Sequence, residues 1–210
     1  MKILITAGPT REAIDPVRFI ANRSSGKMGY LTAAAAAARG HEVRLVSGPV
    51  CLPPPDGVET LAVISAADML QAVRNHVSWC DALVMAAAVA DWRPAETAAA
   101  KIKKTGRRMM LELVPTPDIL RLIAPYKGHR LFIGFAAETS TVVEYAAVKL
   151  TEKNLDYIVA NDVSQPDAGF EVDTNRAVFL GADGRREEWP LMSKRDMADR
   201  LLDVIEAALQ

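Results

Sequence analysis

The run Asn22-Arg23-Ser24-Ser25-Gly26-Lys27-Met28-Gly29 lies between an apolar run at residues 2–7 and six consecutive alanines, Ala33 to Ala38. Small residues and a lysine at the start of a helix leave first-turn N–H groups without intrahelical partners. The positive end of the helix dipole converges on the same point. Such a place suits a phosphate. It follows neither familiar phosphate template: no G-x-G-x-x-G follows the first apolar run. Ala21 and Met28 stand where a Walker A loop needs glycine and Ser or Thr. The competing reading is tight helix–sheet packing, which small residues also permit.

Two more clusters could do chemistry. Residues 86–91 (Ala-Ala-Ala-Val-Ala-Asp) leave main chain exposed without bulk, so a planar base or an acyl chain could approach closely, with Asp91 at the rim for a ribose or a cation. They are followed by a basic run, residues 101–108, with five Lys or Arg in eight positions. That run is compatible with a solvated loop, a nucleic-acid patch or a segment that closes over a polyphosphate. Near-neutral net charge and the lack of interleaved aromatics argue against nucleic acid. The third cluster is residues 134–139, followed by Lys149 and Lys153, which share a helix face at i and i+4. They are ordinary surface lysines unless an anion lies between them. No Ser-His-Asp or Cys-His arrangement stands out, and no metal-ligand spacing links His41, His76 and His129.

The elements that must position these groups alternate. Apolar runs at 2–7, 42–47, 82–86 and 131–135 have strand length. Helical patterns occupy 28–39, 66–79 (opened by Ser65 with Asp68 three residues on), 118–124 (opened by Thr116-Pro117) and 141–153. This alternation predicts a doubly wound, mostly parallel Rossmann-like α/β sheet with helices on both faces. Its ligands would bind beyond the strands' carboxyl ends, where Gly8, Ala87, Phe135 and Asn161 fall. From 176 to 190, two strand-like runs flank Gly181-Ala182-Asp183-Gly184, predicting an antiparallel hairpin that caps an edge or pairs with a second copy. A last helix covers 194–209. With 210 residues, half apolar, and a net charge of −1, the chain reads as one domain over 1–210, with 159–192 as a hairpin and dimerisation segment. Cys51 and Cys80 read as reduced, buried small hydrophobes. With no secretory leader and no run of spanning length, the expected setting is the cytoplasm, without membrane or nucleic-acid partners.

Taken together, Gly8-Pro9-Thr10-Arg11-Glu12, Asp15-Pro16-Val17-Arg18, the 22–29 run, residues 86–91, Lys101-Ile102-Lys103-Lys104, residues 116–120, 134–139 and Asn161-Asp162-Val163-Ser164 resemble the phosphopantothenoylcysteine synthetase family. The likeness is to its bacterial CTP-dependent type, commonly the C-terminal half of a bifunctional flavoprotein. It implies a ligase in coenzyme A biosynthesis that joins 4′-phosphopantothenate and L-cysteine. CTP would be cleaved to CMP and pyrophosphate through an acyl-cytidylate, with ATP as the alternative nucleotide. Carried over, Lys101 would stabilise the phosphate charge and Asn22 would serve turnover of the acyl-cytidylate. Ala87, Ala88, Asp91, Pro117, Asp118, Ile119, Leu120, Phe135, Lys149 and Lys153 would complete the nucleotide pocket. Ser24, Ser25 and Gly26, with Asn22 and Ala88, would cradle the phosphopantothenate. Mg2+ is expected with the triphosphate, its protein ligand unassigned, and no flavin is expected in this chain. The family also implies a homodimer and, where fused, a flavin-dependent decarboxylase half, so the chain would be a stand-alone synthetase or one domain of that fusion. Two other classes fit the architecture less well: a nucleotide-dependent oxidoreductase, which lacks its glycine fingerprint, and a nucleic-acid module built on 101–108.

Overall fold

Ile3, Leu4, Ile5 and Ala7 are inaccessible to solvent on both sides of one strand, so the strand needs cover on two faces, and the rest of the chain supplies it. The computed structural model describes residues 1–106, 108–138, 141–162, 169 and 172–210. The order is β1 (Lys2–Ala7), β2 (Arg11–Ala13), β3 (Phe19–Ala21), α1 (Lys27–Ala38), β4 (Glu42–Ser47), β5 (Glu59–Ala62), α2 (Ala66–His76) and β6 (Ala82–Met85). Then come β7 (Trp92–Pro94), β8 (Leu113–Pro115), α3 (Ile119–Ile123), β9 (Leu131–Glu138), α4 (Val142–Glu152) and β10 (Tyr157–Asp162), and finally β11 (Thr174–Gly181), β12 (Arg186–Ser193) and α5 (Lys194–Ala208).

Eight strands form the central sheet in the order β12-β11-β10-β9-β6-β1-β4-β5. Pairing is parallel from β10 through β5 and antiparallel at β10–β11 and β11–β12. One apolar layer joins α1 and α5 to the sheet through Ala33, Ala36, Met197 and Leu201. The other joins α2, α3 and α4 through Met69, Val73, Ile123 and Ala146. The expected doubly wound architecture and its edge hairpin are therefore present.

Small residues set how close α1 lies to the sheet. A methyl at Gly29 would stand 2.6 Å from the Ala7 Cβ and 2.8 Å from the Thr6 carbonyl oxygen, so the helix rides almost on β1. That brings its N-terminus to the carboxyl end of the central strand. Helix α2 begins with the expected capping box: the Ser65 hydroxyl accepts the Asp68 N–H at 3.1 Å, and the Asp68 carboxylate accepts the Ser65 N–H at 2.9 Å.

Two expectations need correction. Helix α3 is opened by Asp118, whose carboxylate accepts the Arg121 N–H, not by Thr116-Pro117, because only Asp118 offers an acceptor at the N-cap. Cys51 is exposed in the loop after β4, whereas Cys80 is buried. Edge strand β5 and the two small sheets β2–β3 and β7–β8 are further strands, and they carry no strong apolar alternation. Arg107, Thr139, Val163 and Ser164, which belong to the motifs above, lie outside the described residues.

Candidate active site

A cavity of about 870 Å³ opens beyond the carboxyl ends of β1, β6, β9 and β10. Its walls include Asn22 to Met28, Ala86 to Val89, Asp91, Pro115 to Leu120, Gly134 to Ala137, Lys149 and Lys153. The structure thus brings together every nucleotide and phosphate residue expected above except Lys101, which is exposed in the irregular stretch after β7 and outside the lining.

At the α1 end, Gly26 caps the helix with φ 78°, a left-handed conformation that glycine adopts without a Cβ penalty. A side chain there would meet Val50 Cγ1 at 2.8 Å. The Ser24 hydroxyl accepts the Gly26 N–H at 3.3 Å, which folds the 24–26 turn in front of the helix N-terminus. Two lysines close in. Lys27 pairs with Asp173, and Lys194, 3 % exposed at the start of α5, donates to the Gly169 carbonyl at 2.8 Å. Burial, reinforced by the Lys27 charge, pulls the Lys194 ammonium below the ordinary lysine value. Lys194 and Asn175 escape a local reading of the sequence, because Lys194 reaches the cavity through the packing of α5 beside α1 and Asn175 through the place of β11 next to β10 in the sheet. The side-chain oxygen Oδ1 of Asn161, near the end of β10, is buried without a hydrogen-bond partner among the described residues, and the residue is part of this cavity's lining.

The alanine loop is the middle wall, and its polar groups are largely committed. The Ala87 N–H donates to Thr6 Oγ1 at 3.1 Å, the Ala88 N–H to the Gly8 carbonyl at 2.9 Å, and the Ala90 N–H to Thr10 Oγ1 at 2.9 Å. The Ala90 carbonyl accepts the Thr116 hydroxyl at 2.6 Å. Ala87 and Ala88 therefore offer a flat, rigid surface rather than free donors. Asn22 is held against this loop: its Nδ2 donates to the Val89 carbonyl at 2.9 Å and lies 3.4 Å from that of Ala88. Two carbonyls can be faced only by the nitrogen end of an amide, so Oδ1 is the end of Asn22 left to a ligand.

At the far end Lys153, the C-cap of α4, pairs with Asp118, the residue that also caps α3. Lys149 lies one turn earlier on the same helix. Lys27 and Lys194 belong to the helix layer on one face of the sheet, Lys149 and Lys153 to the layer on the other. The cavity is thus a trough with cations at both ends and neutral small residues between. Among the described residues, no group of three or more His, Cys, Asp or Glu is placed to hold a metal, and none of the helices is long and apolar enough to cross a membrane.

A doubly wound sheet with cations and a helix N-terminus at its strand ends has the geometry suited to phosphorylated small molecules or nucleotides. Comparison with known proteins narrows that class. The chain belongs to the DNA/pantothenate metabolism flavoprotein C-terminal domain family, whose profile matches residues 1–209. It is 48% identical over 206 residues to the coenzyme A biosynthesis bifunctional protein CoaBC of Bacillus subtilis, and 49% identical over 209 residues to that of Escherichia coli K12. Each match covers 98% of this chain and 51% of the relative, so the chain spans about half the length of these curated relatives. A crystal structure of the C-terminal domain of a CoaBC protein superposes with a TM-score of 0.85 at 47% identity, covering 99% of this chain and 95% of the other.

Proposed function

We propose that this chain is a phosphopantothenate–cysteine ligase that uses CTP. The observation that carries the reading is the trough itself: two cationic ends on opposite faces of one sheet, joined by a rigid wall of alanines. That arrangement suits two anionic reactants which must be held head to head.

In the first step a carboxylate oxygen of 4′-phosphopantothenate attacks the α-phosphorus of CTP, the bond to the β-phosphate breaks, and pyrophosphate leaves. In the second, the amine of L-cysteine attacks the acyl carbon, CMP leaves and a proton is released. No step requires a protein nucleophile. The chain supplies positioning and charge. Lys149 and Lys153, with residues 117–120 and Phe135, hold the nucleotide, while Ser24, Ser25 and Gly26 hold the pantothenate phosphate. Lys101 meets the charge at the α-phosphate. An exposed lysine outside the cavity reaches that place by movement of its segment or from a second copy. The open Oδ1 of Asn22 accepts a hydrogen bond from the attacking amine, which steers its lone pair toward the acyl carbon. Mg2+ would accompany the triphosphate and offset its negative charge as pyrophosphate leaves. Of the two carboxylates among the described lining residues, Asp118 is paired with Lys153, so Asp91 is the one that would hold the ion.

The active unit is a homodimer. Edge strand β12 offers Leu191, and the two small sheets and the segments beside them offer Val17, Phe19, Trp92, Met110 and Leu113, all exposed apolar side chains. Sedimentation of Trp92→Asp and Leu191→Arg separates the two surfaces, because only the variant on the true interface becomes monomeric. A flavin-dependent decarboxylase would be the functional partner, fused or associated.

Incubation of the purified protein with phosphopantothenate, cysteine, Mg2+ and each nucleotide in turn tests the reading. Phosphopantothenoylcysteine should form with CTP, together with CMP and pyrophosphate. No product with any nucleotide would overturn the ligase, and product with ATP alone would replace only the nucleotide.

A further inference from the structure

The side chain of Asp15, in the turn between β2 and β3, is fully buried although the residue lies at the periphery of the molecule. Its Oδ1 accepts the N–H groups of Val17 and Arg18, both at 2.9 Å. Its Oδ2 takes the Arg18 guanidinium from Nε at 3.1 Å and from Nη2 at 2.5 Å. One more bond leaves the turn altogether: Oδ2 accepts the Ile102 N–H at 3.1 Å, across 87 residues of chain. Arg18 Nη2 completes the clamp by donating to the Ile102 carbonyl at 3.0 Å. Both main-chain polar groups of Ile102 are thereby held by a single ion pair.

The same turn grips the chain upstream. The Thr97 hydroxyl donates to the Ala13 carbonyl at 3.1 Å, and the Ala98 N–H to the Ile14 carbonyl at 3.0 Å. Residues 97–102 are therefore laced to residues 13–18, and the lacing stops one residue beyond Lys101. From there to Gly106 the chain is exposed and has no regular structure. Asn22 stands at the other end of the same hairpin, directly after β3. One small sheet thus mounts both residues assigned to the chemistry.

We infer that Asp15 is a positioning residue for Lys101: with Arg18 it fixes the root of the basic segment, so that the ammonium is presented from a defined point on the hairpin that also carries Asn22. The inference rests on the reading of Lys101 as the group that meets the α-phosphate. A carboxylate is required because it accepts three main-chain N–H donors and a guanidinium at once. An amide places its own NH2 against some of those donors and releases Ile102 first, since that bond has no covalent tether nearby.

The test compares Asp15→Asn, Lys101→Gln and the double variant. The readouts are amide hydrogen exchange over residues 97–106, CTP affinity by equilibrium binding, and the rate of pyrophosphate release in a single turnover. In Asp15→Asn, exchange at Ile102 should rise about tenfold and pyrophosphate release fall roughly ten- to a hundredfold, the order that a misplaced catalytic group costs. CTP affinity should stay within about twofold of the parent. In the Lys101→Gln background, Asp15→Asn should cost almost nothing further, because residues acting as a unit are not additive. Independent losses that multiply would overturn the inference, as would a faster-exchanging Ile102 with an undiminished rate. Normal pyrophosphate release by Lys101→Gln would remove the lysine's role and the inference with it. A crippled Lys101→Gln beside an unimpaired Asp15→Asn overturns the inference alone. Thr97→Val, which loses one exposed lacing bond, gives a milder version of the same result if Asp15→Asn does not fold.

Discussion

A carboxamide that offers its nitrogen to two loop carbonyls has one face left for a ligand, and the consequence for Asn22 can be measured. Asn22→Asp sets a negative oxygen against the Val89 and Ala88 carbonyls and removes the brace. The anhydride-forming step should survive in large part, while transfer to cysteine falls about a hundredfold, the usual scale for a lost proton-handling contact. Acyl-cytidylate should then accumulate in mass spectra of the quenched reaction; turnover at the parent rate would show that the open oxygen has no part in transfer. The two thiols should differ as sharply. Burial pushes the Cys80 thiol up to about 11, whereas Cys51 is exposed. Native alkylation should therefore modify Cys51 and spare Cys80 until the protein is unfolded. A native product carrying the label on Cys80 would contradict the burial.

At the scale of elements, the close ride of α1 on β1 depends on a missing methyl. In Gly29→Ala the new carbon meets main chain and a β-carbon that cannot rotate away, so a loss of about 1–3 kcal/mol is expected. In Gly134→Ala the nearest atom, at 2.6 Å, is the tip of the Leu155 side chain, which can turn aside. That variant should cost less, and urea denaturation at unchanged m-value would rank the pair. The central strands were legible because cover on both faces makes them continuous apolar runs. Ser65 with Asp68 announced the start of α2 because a cap is a local bond. The short strands were not legible: β2 reads Arg-Glu-Ala and β5 Glu-Thr-Leu-Ala, and each is extended because of its neighbours rather than its composition. The same holds for the site. The 22–29 run and the alanine loop lie at strand ends and could be located from pattern alone. Lys194 and Asn175 arrive from the last third of the chain, brought by tertiary packing that no spacing records.

Four carboxylates spread over the molecule are held by N–H donors or cations, which fixes the response to acid. The Arg18 guanidinium holds the Asp15 carboxyl well below the usual carboxylate range. The Ser65 N–H lowers Asp68, Lys27 lowers Asp173, and the Trp189 indole N–H lowers Glu187. All four bind protons more readily when unfolded, so their contribution is complete above the unfolded carboxylate values of about 4 and is lost as pH falls through the lower folded ones. The melting temperature should therefore hold from pH 7 to about 5 and drop below 4. Asp15→Asn, with one such group fewer, should show a shallower decline. A melting temperature that rises on acidification would contradict the sign.

A stack of three rings, Tyr157 on β10, Phe179 on β11 and Trp189 on β12, crosses the outer edge of the sheet, with centroids 5.1 and 5.0 Å apart. Arg185 lies over Tyr157 at one end and Arg200 over Trp189 at the other. Trp189 is 1 % exposed and Trp92 is 51 % exposed. The molecule therefore contains its own optical labels. A shift to the red in the emission of the stacked indole reports loosening of the antiparallel edge, and iodide quenching of the exposed indole reports whatever covers the small sheets, without any dye being attached.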